Sequence, residues 1–145
     1  GIANSVAGYL ITETDSVVID LGTATTFDVV SKNKEYLGGS IAPGIKISLD
    51  ALTLKTASLK SVELDTPNKV IGKNTYEAIQ SGLIMGHASM IDSMVEKIIL
   101  EIDIEPKIIL TGGLSKVVQP ILNVNVEYIE NLTLVGLEEI FKLNN

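Results

Sequence analysis

Apolar positions follow two periods along the chain. In the first third they form short, nearly unbroken runs. Residues 16–21 (SVVIDL) read as one buried strand, and 25–31 (TTFDVVS) as a second after a tight turn at Gly22. The polar run Lys32-Asn33-Lys34 is a hairpin loop into a third strand, Tyr36 to Ile41, which Pro43-Gly44 stops. From Ile45 to Leu54 the period changes, with Ile45, Leu49 and Leu52 at helical spacing. A polar stretch over 60–73, containing Pro67, precedes the strongest helix of the chain. There Asn74 and Glu77 stand at capping-box spacing, and Ile84, Ala88, Ile91, Val95 and Ile98 recur at steps of four and three. Residues 107–113 (KIILTGG) form a strand running into a glycine turn. A short helix, a strand near 126–129 and a terminal helix from about 132 follow.

With a short opening helix over 2–11, the order is then β-β-β-α-α-β-α-β-α. Two short β-to-β connections followed by helix-separated strands predict an α/β fold with a five-stranded mixed sheet. Its first three strands would be antiparallel neighbours, with helices on the sheet's faces. No linker or repeat interrupts the pattern, so 1–145 reads as a single domain.

Composition narrows the chemistry. A chain of 145 residues that is 46% hydrophobic can bury a proper core, and its few aromatics and many aliphatics suit sheet packed on helices. A net charge of −7, with no basic run, argues against nucleic acid or an anionic membrane as the main partner. It leaves room for a phosphorylated small ligand held by backbone N–H groups and a cation. The absence of cysteine excludes disulfides, zinc thiolates and cysteine nucleophiles. No apolar run approaches the roughly 20 residues of a membrane span, and no basic-then-apolar leader opens the chain. The expectation is a soluble cytoplasmic domain, with no membrane partner.

Several familiar sites are also excluded. "IGKN" (71–74) resembles the end of a P-loop, but Pro67 stands where its first glycine belongs and Asn74 where its hydroxyl belongs. No G-x-G-x-x-G occurs. His87, the one histidine, cannot make a zinc site alone, so packing or hydrogen bonding is its expected role.

Two glycine-bearing strand ends survive this elimination. In "DLGTATTFD" (20–28), Gly22 can adopt conformations and approach distances closed to other residues. The N–H groups and hydroxyls of Thr23, Thr25 and Thr26 could then face an anion, and Asp20 a cation. The same residues also suit an ordinary hairpin, where threonine is favoured by β propensity. In "LTGGL" (110–114), Gly112 and Gly113 let another molecule lie on the backbone, or simply allow a strand-to-helix turn. Both features sit at strand ends of one α/β sheet, the edge at which ligands bind.

Taken with "GGSIAPG" (38–44) and "IGKNTYEAIQSG" (71–82), these segments resemble, in order and over nearly the whole chain, the C-terminal half of a type III pantothenate kinase. That family belongs to the actin, sugar-kinase and heat-shock ATPase superfamily. The resemblance implies a ribonuclease H-like, actin-type ATPase domain that binds ATP and pantothenate and works as a cytoplasmic homodimer. It implies that Asp20 holds an activating monovalent cation, potassium or ammonium, while Mg2+ arrives with ATP. Gly22, Thr23 and Thr25 would meet ATP phosphate, Gly112 and Gly113 the adenosine, and Thr75 pantothenate. A hydroxyl in a helix's first turn suits that role, beside free N–H groups and the positive dipole end. Gly82 and Gly86 suggest close packing of another element, either the domain's own sheet or a second subunit.

Family members carry a further N-terminal half with a first phosphate motif, ending in Gly-Ala-Asp-Arg, whose aspartate is the general base. The present chain begins Gly1-Ile2-Ala3-Asn4. The expectation is therefore no catalytic residue within this chain, and no turnover by it alone, because phosphoryl transfer depends on the full set of positioning and charge-stabilising groups. Two other readings stay open. One is a non-catalytic binding or regulatory protein, since members have been labelled transcriptional activators. The other is a different sugar-kinase-like phosphotransferase, which "GGSIAPG" and Thr75 disfavour.

Overall fold

The β-branched runs do build a meander. The computed structural model describes residues 14–55 and 62–130. The helices expected over 2–11 and from about 132 lie outside the described residues. Strands β1 (Ser16–Leu21), β2 (Ala24–Val30) and β3 (Tyr36–Pro43) pair antiparallel in sequence order. Leu21 faces Thr25 across the first ladder, which leaves Gly22 and Thr23 at the tip of the hairpin. Two more strands, β4 (Lys107–Thr111) and β5 (Glu127–Tyr128), add parallel to β1 and to one another, giving the order β3-β2-β1-β4-β5. The five-stranded mixed sheet expected from the chain's periodicity is the observed one. Strand β3 runs two residues further than expected, because Ala24 pairs with Pro43 at its end.

Alternation along the strands sorts the core. Val17, Ile19 and Leu21 of β1 share a face with Phe27 and Val29 of β2, and this face carries the main apolar cluster with Ile45, Ile84, Ile91 and Val95. On the opposite face, Val18 and Ile109 pack with Ile129. Residues 16–19 are completely buried, as a central strand between two neighbours requires.

The helical layer holds α1 (Ile45–Lys55), α2 (Thr75–Gln80), α3 (Gly86–Ile102) and the short α4 (Ser115–Val118). Asn74 caps α2, its Oδ1 accepting the Glu77 N–H at 2.8 Å. The Glu77 carboxylate accepts in return from the Lys73 N–H at 3.3 Å, one residue outside the usual capping box. The single long helix expected here is two helices joined by a π turn, Ser81–Met85. Ser81 is buried in that turn and its hydroxyl donates to the Val70 carbonyl, tying the turn to the preceding loop. Gly82 and Gly86 do not pack on the domain's own sheet. A Cβ added at either would meet nothing within 4 Å among the described residues, which corrects that half of the expectation.

Candidate functional site

Parallel pairing puts the carboxyl ends of β1 and β4 side by side, with Asp20 opposite Thr111. In α/β sheets this edge is where ligands are received. Two glycines from distant segments close on the end of β1 and on the Gly22–Thr23 tip that follows it. Gly112 has φ +103°, and a Cβ there would lie 2.6 Å from the N, C and O atoms of Leu21. A Cβ on Gly44 would lie 2.2 Å from the Thr23 carbonyl oxygen and 2.7 Å from that of Gly22. Only bare backbone fits at either point. The segments around 22, 44 and 112 thus meet at one tip.

Gly22 itself departs from expectation. Its φ lies outside the left-handed region, and an added Cβ would rest at an ordinary 3.5 Å from Asp20 Oδ1. A Cβ on Gly113 would meet nothing within 4 Å. Both residues are exposed. The fold requires Gly44 and Gly112. Gly22 would take a Cβ at ordinary contact with the half-buried Asp20 carboxylate, and Gly113 has open space among the described residues.

The threonines divide by face. Thr23 is exposed at the tip. Thr26 pairs with Asp20 and so shares its side of the sheet, where its buried hydroxyl has no hydrogen-bond partner among the described residues. Thr25 sits opposite Leu21 on the helix-facing side and is 1% exposed. Its Oγ1 is hydrogen-bonded to His87 Nε2 at 2.7 Å. The hydroxyl of Thr25 is therefore engaged inside the domain rather than turned to the tip.

Burial pushes His87 below the ordinary histidine range, so the ring is neutral at pH 7. The unfolded chain, with a histidine near about 6.5, then takes up the proton first. Stability is full above that value and falls as pH drops from it through the lower folded-state pKa. Denaturation midpoints measured from pH 8 to pH 5 should show this decline in the wild type. The decline should be shallower in His87→Gln, which keeps a hydrogen-bonding side chain but removes the titration.

Thr75 is the first residue of α2 and exposed, next to its cap. A cleft of about 460 Å³ lies between the 65–73 loop and α2, lined by Asn68, Lys69, Lys73, Glu77 and Gln80 among others. Neither Thr75 nor any residue of the hairpin tip lines it. The loop is pinned from several sides. The Glu63 N–H donates to Tyr76 Oη, Gln80 Nε2 to the Glu63 carbonyl, and Thr66 Oγ1 to the Val117 carbonyl at 2.7 Å. This last bond joins the segment before Thr75 to the short helix after Gly112-Gly113.

Among the described residues no cluster of three or more histidine, cysteine or acidic side chains could cage a metal. The half-buried Asp20 carboxylate stands near the end of β1. Mg2+ is commonly held by one or two carboxylates plus substrate phosphates.

The type III pantothenate kinase family matches residues 1–97. The chain belongs to this family. Type III pantothenate kinases of Anaeromyxobacter sp. (strain K) and Syntrophus aciditrophicus (strain SB) are 43% and 45% identical to it over 99% of its length. The chain spans about half of these curated relatives, 56% and 57%. Among solved structures, a conserved Baf family protein of Campylobacter jejuni, described as a transcriptional activator, superposes with a TM-score of 0.67. It is 25% identical, over 98% of this chain and 64% of its own. The chain of a PilM–PilN pilus biogenesis complex gives a TM-score of 0.52 at 16% identity, covering 88% of this chain and 40% of its own, a likeness of fold alone. The fold of this pantothenate kinase family member is that of an actin-like ATPase domain.

Some features of the site carry no local signal in the chain. Gly44 lies inside a segment singled out for another reason, and its contact with Thr23 belongs to the tertiary fold. Thr25, expected at ATP phosphate, shares instead the parity and the inward face of the apolar Phe27 and Val29. The pairing of Thr25 with His87, 62 positions away, is not legible in the chain.

Proposed function

We propose that this chain is the C-terminal half of a kinase that transfers the ATP γ-phosphate to the primary hydroxyl of pantothenate, the first step toward coenzyme A. The observation that carries this reading is the close approach of Gly112 to Leu21 and of Gly44 to the adjoining Gly22–Thr23 tip, in a chain more than 40% identical to pantothenate kinases. Phosphoryl transfer asks for position and charge compensation rather than covalent chemistry. The tip offers both. The backbone at Gly22 and Thr23 would face phosphate, and Asp20 would hold potassium or ammonium beside it. Gly113 leaves the adenosine a bare surface, while Gly112 holds the strand end in place. Thr75 would hold pantothenate from the free N–H end of α2. Mg2+, bound with ATP, would neutralise charge on the transferring group.

The general base belongs to the other half of the site, so residues 1–145 alone are expected not to turn over. The setting we assign is the cytoplasm. The working unit is a homodimer: edge strand β3 leaves Ile41 80% exposed, and Gly82 and Gly86 are open to close approach. Sedimentation at micromolar concentration should give about twice 15.5 kDa for this chain, and a 15.5 kDa species would refute the dimer.

A non-catalytic reading draws on the description of the C. jejuni relative. The charge of −7 speaks against direct DNA contact. An acceptor panel separates these readings. The full-length protein with ATP, Mg2+ and K+ should release ADP with pantothenate and not with hexoses or glycerol. Retention of DNA at low salt without pantothenate-dependent ADP release would overturn the kinase reading.

A further inference from the structure

His87 and Thr25 make one hydrogen bond between the helical layer and the hairpin, and its placement on both sides is unusual. Thr25 is the second residue beyond the tip, buried opposite Leu21. His87 is the second residue of α3, directly after the π turn. A π turn takes one residue more than an α turn, so it rotates every later position by about 100° relative to a continuous helix. In a straight helix begun at Thr75, position 87 would face a different direction. The observed turn aims the imidazole at Thr25 Oγ1, 2.7 Å away.

The backbone contacts of Gly44 and Gly112 limit where the tip can lie. They add no directional bond between it and α3. The Thr25–His87 pair supplies one, and burial keeps the imidazole neutral, so it can accept from or donate to the hydroxyl without adding charge next to bound phosphate.

We propose that His87 is a positioning residue for the hairpin tip, holding through Thr25 the distance between the nucleotide-phosphate turn and the helix layer. This rests on the reading that the tip receives ATP phosphate. His87 touches no substrate in this scheme. Its effect is to keep Gly22 and Thr23 at the right depth, so its loss should weaken ATP more than pantothenate.

The test uses the full-length protein with Thr25→Val, Thr25→Ser, His87→Leu, His87→Gln and the double variant Thr25→Val/His87→Leu. The Val and Leu variants should each raise KM for ATP about tenfold with KM for pantothenate within about twofold, a tenfold change being well above assay scatter. Thr25→Ser and His87→Gln, which keep a hydrogen-bonding atom, should stay near the wild type. The double variant should be no worse than the worse single, as coupled residues require. Equal behaviour of Thr25→Ser and Thr25→Val, or an unchanged ATP KM in His87→Leu, would overturn the proposal. So would loss of melting temperature alone with both KM values intact. Should Thr25→Val fail to fold, His87→Leu against His87→Gln carries the same comparison. Absence of pantothenate turnover in the wild type would instead defeat the kinase reading. ATP dissociation constants for the same variants, measured by calorimetry, would then decide the positioning role.

Discussion

Gly112→Ala should cost the domain a large part of its stability. At φ +103° an L side chain is strained, at about 1–3 kcal/mol. Its Cβ would also lie 2.6 Å from three backbone atoms of Leu21, at the end of the central strand. Forcing such atoms apart adds about 1–3 kcal/mol more. The sum, about 2–6 kcal/mol, compares with the roughly 5–15 kcal/mol by which a domain is stable. Gly44→Ala strains the adjoining hairpin tip, because the Thr23 carbonyl must move. Urea denaturation of the purified chain reads both changes. A Gly112→Ala midpoint equal to that of the wild type would contradict the backbone contact described here.

Alanine at the two open glycines should do the reverse. Gly22→Ala and Gly113→Ala add a methyl where the chain has room, so stability should stay within about 0.5 kcal/mol. In the proposed site the methyl would instead occupy space that phosphate or adenosine needs to reach the backbone. Removing one well-placed donor from a charged transition state typically costs about a hundredfold or more. A fall of about a hundredfold in kcat/KM for ATP is expected of Gly22→Ala in the full-length protein, with an unchanged melting temperature. Gly113→Ala should act mainly through KM for ATP, because the proposed site puts it on the adenosine side. Unaltered kinetics in both variants would show that the space over these glycines is not the nucleotide site.

The contrast between these two glycine pairs marks what a reader of the sequence can and cannot see. The strands of the meander are legible because β-branched runs have few other places to go, and Gly22-Thr23 is short enough to force a hairpin. The mixed topology follows from connection length. The long apolar helix face is legible from its steps of four and three. The π turn inside it is not, because it changes hydrogen-bond spacing around Ser81–Met85 and leaves the apolar pattern intact. Glycine is read in the chain as freedom of the backbone. At Gly112 that reading holds, whereas Gly22 has an unremarkable φ and would take a Cβ at ordinary contact distance. The hydroxyls of 23–26 look alike in sequence, yet strand alternation sends Thr25 to His87 and Thr26 to the side of Asp20. The approach of Gly44 to Thr23 and the bond from Thr66 to Val117 depend on tertiary closure that no local pattern encodes.

The central claim is that residues 1–145 supply the cation, nucleotide and part of the substrate site of a two-part pantothenate kinase. The most direct measurement is mass-spectrometric detection of 4′-phosphopantothenate with ATP, Mg2+ and K+, for the full-length protein and for residues 1–145 alone. The account predicts product from the full-length protein, lost when K+ is replaced by Na+, and none from residues 1–145 above a no-protein control. Product from residues 1–145 alone, or none from the full-length protein, would contradict it.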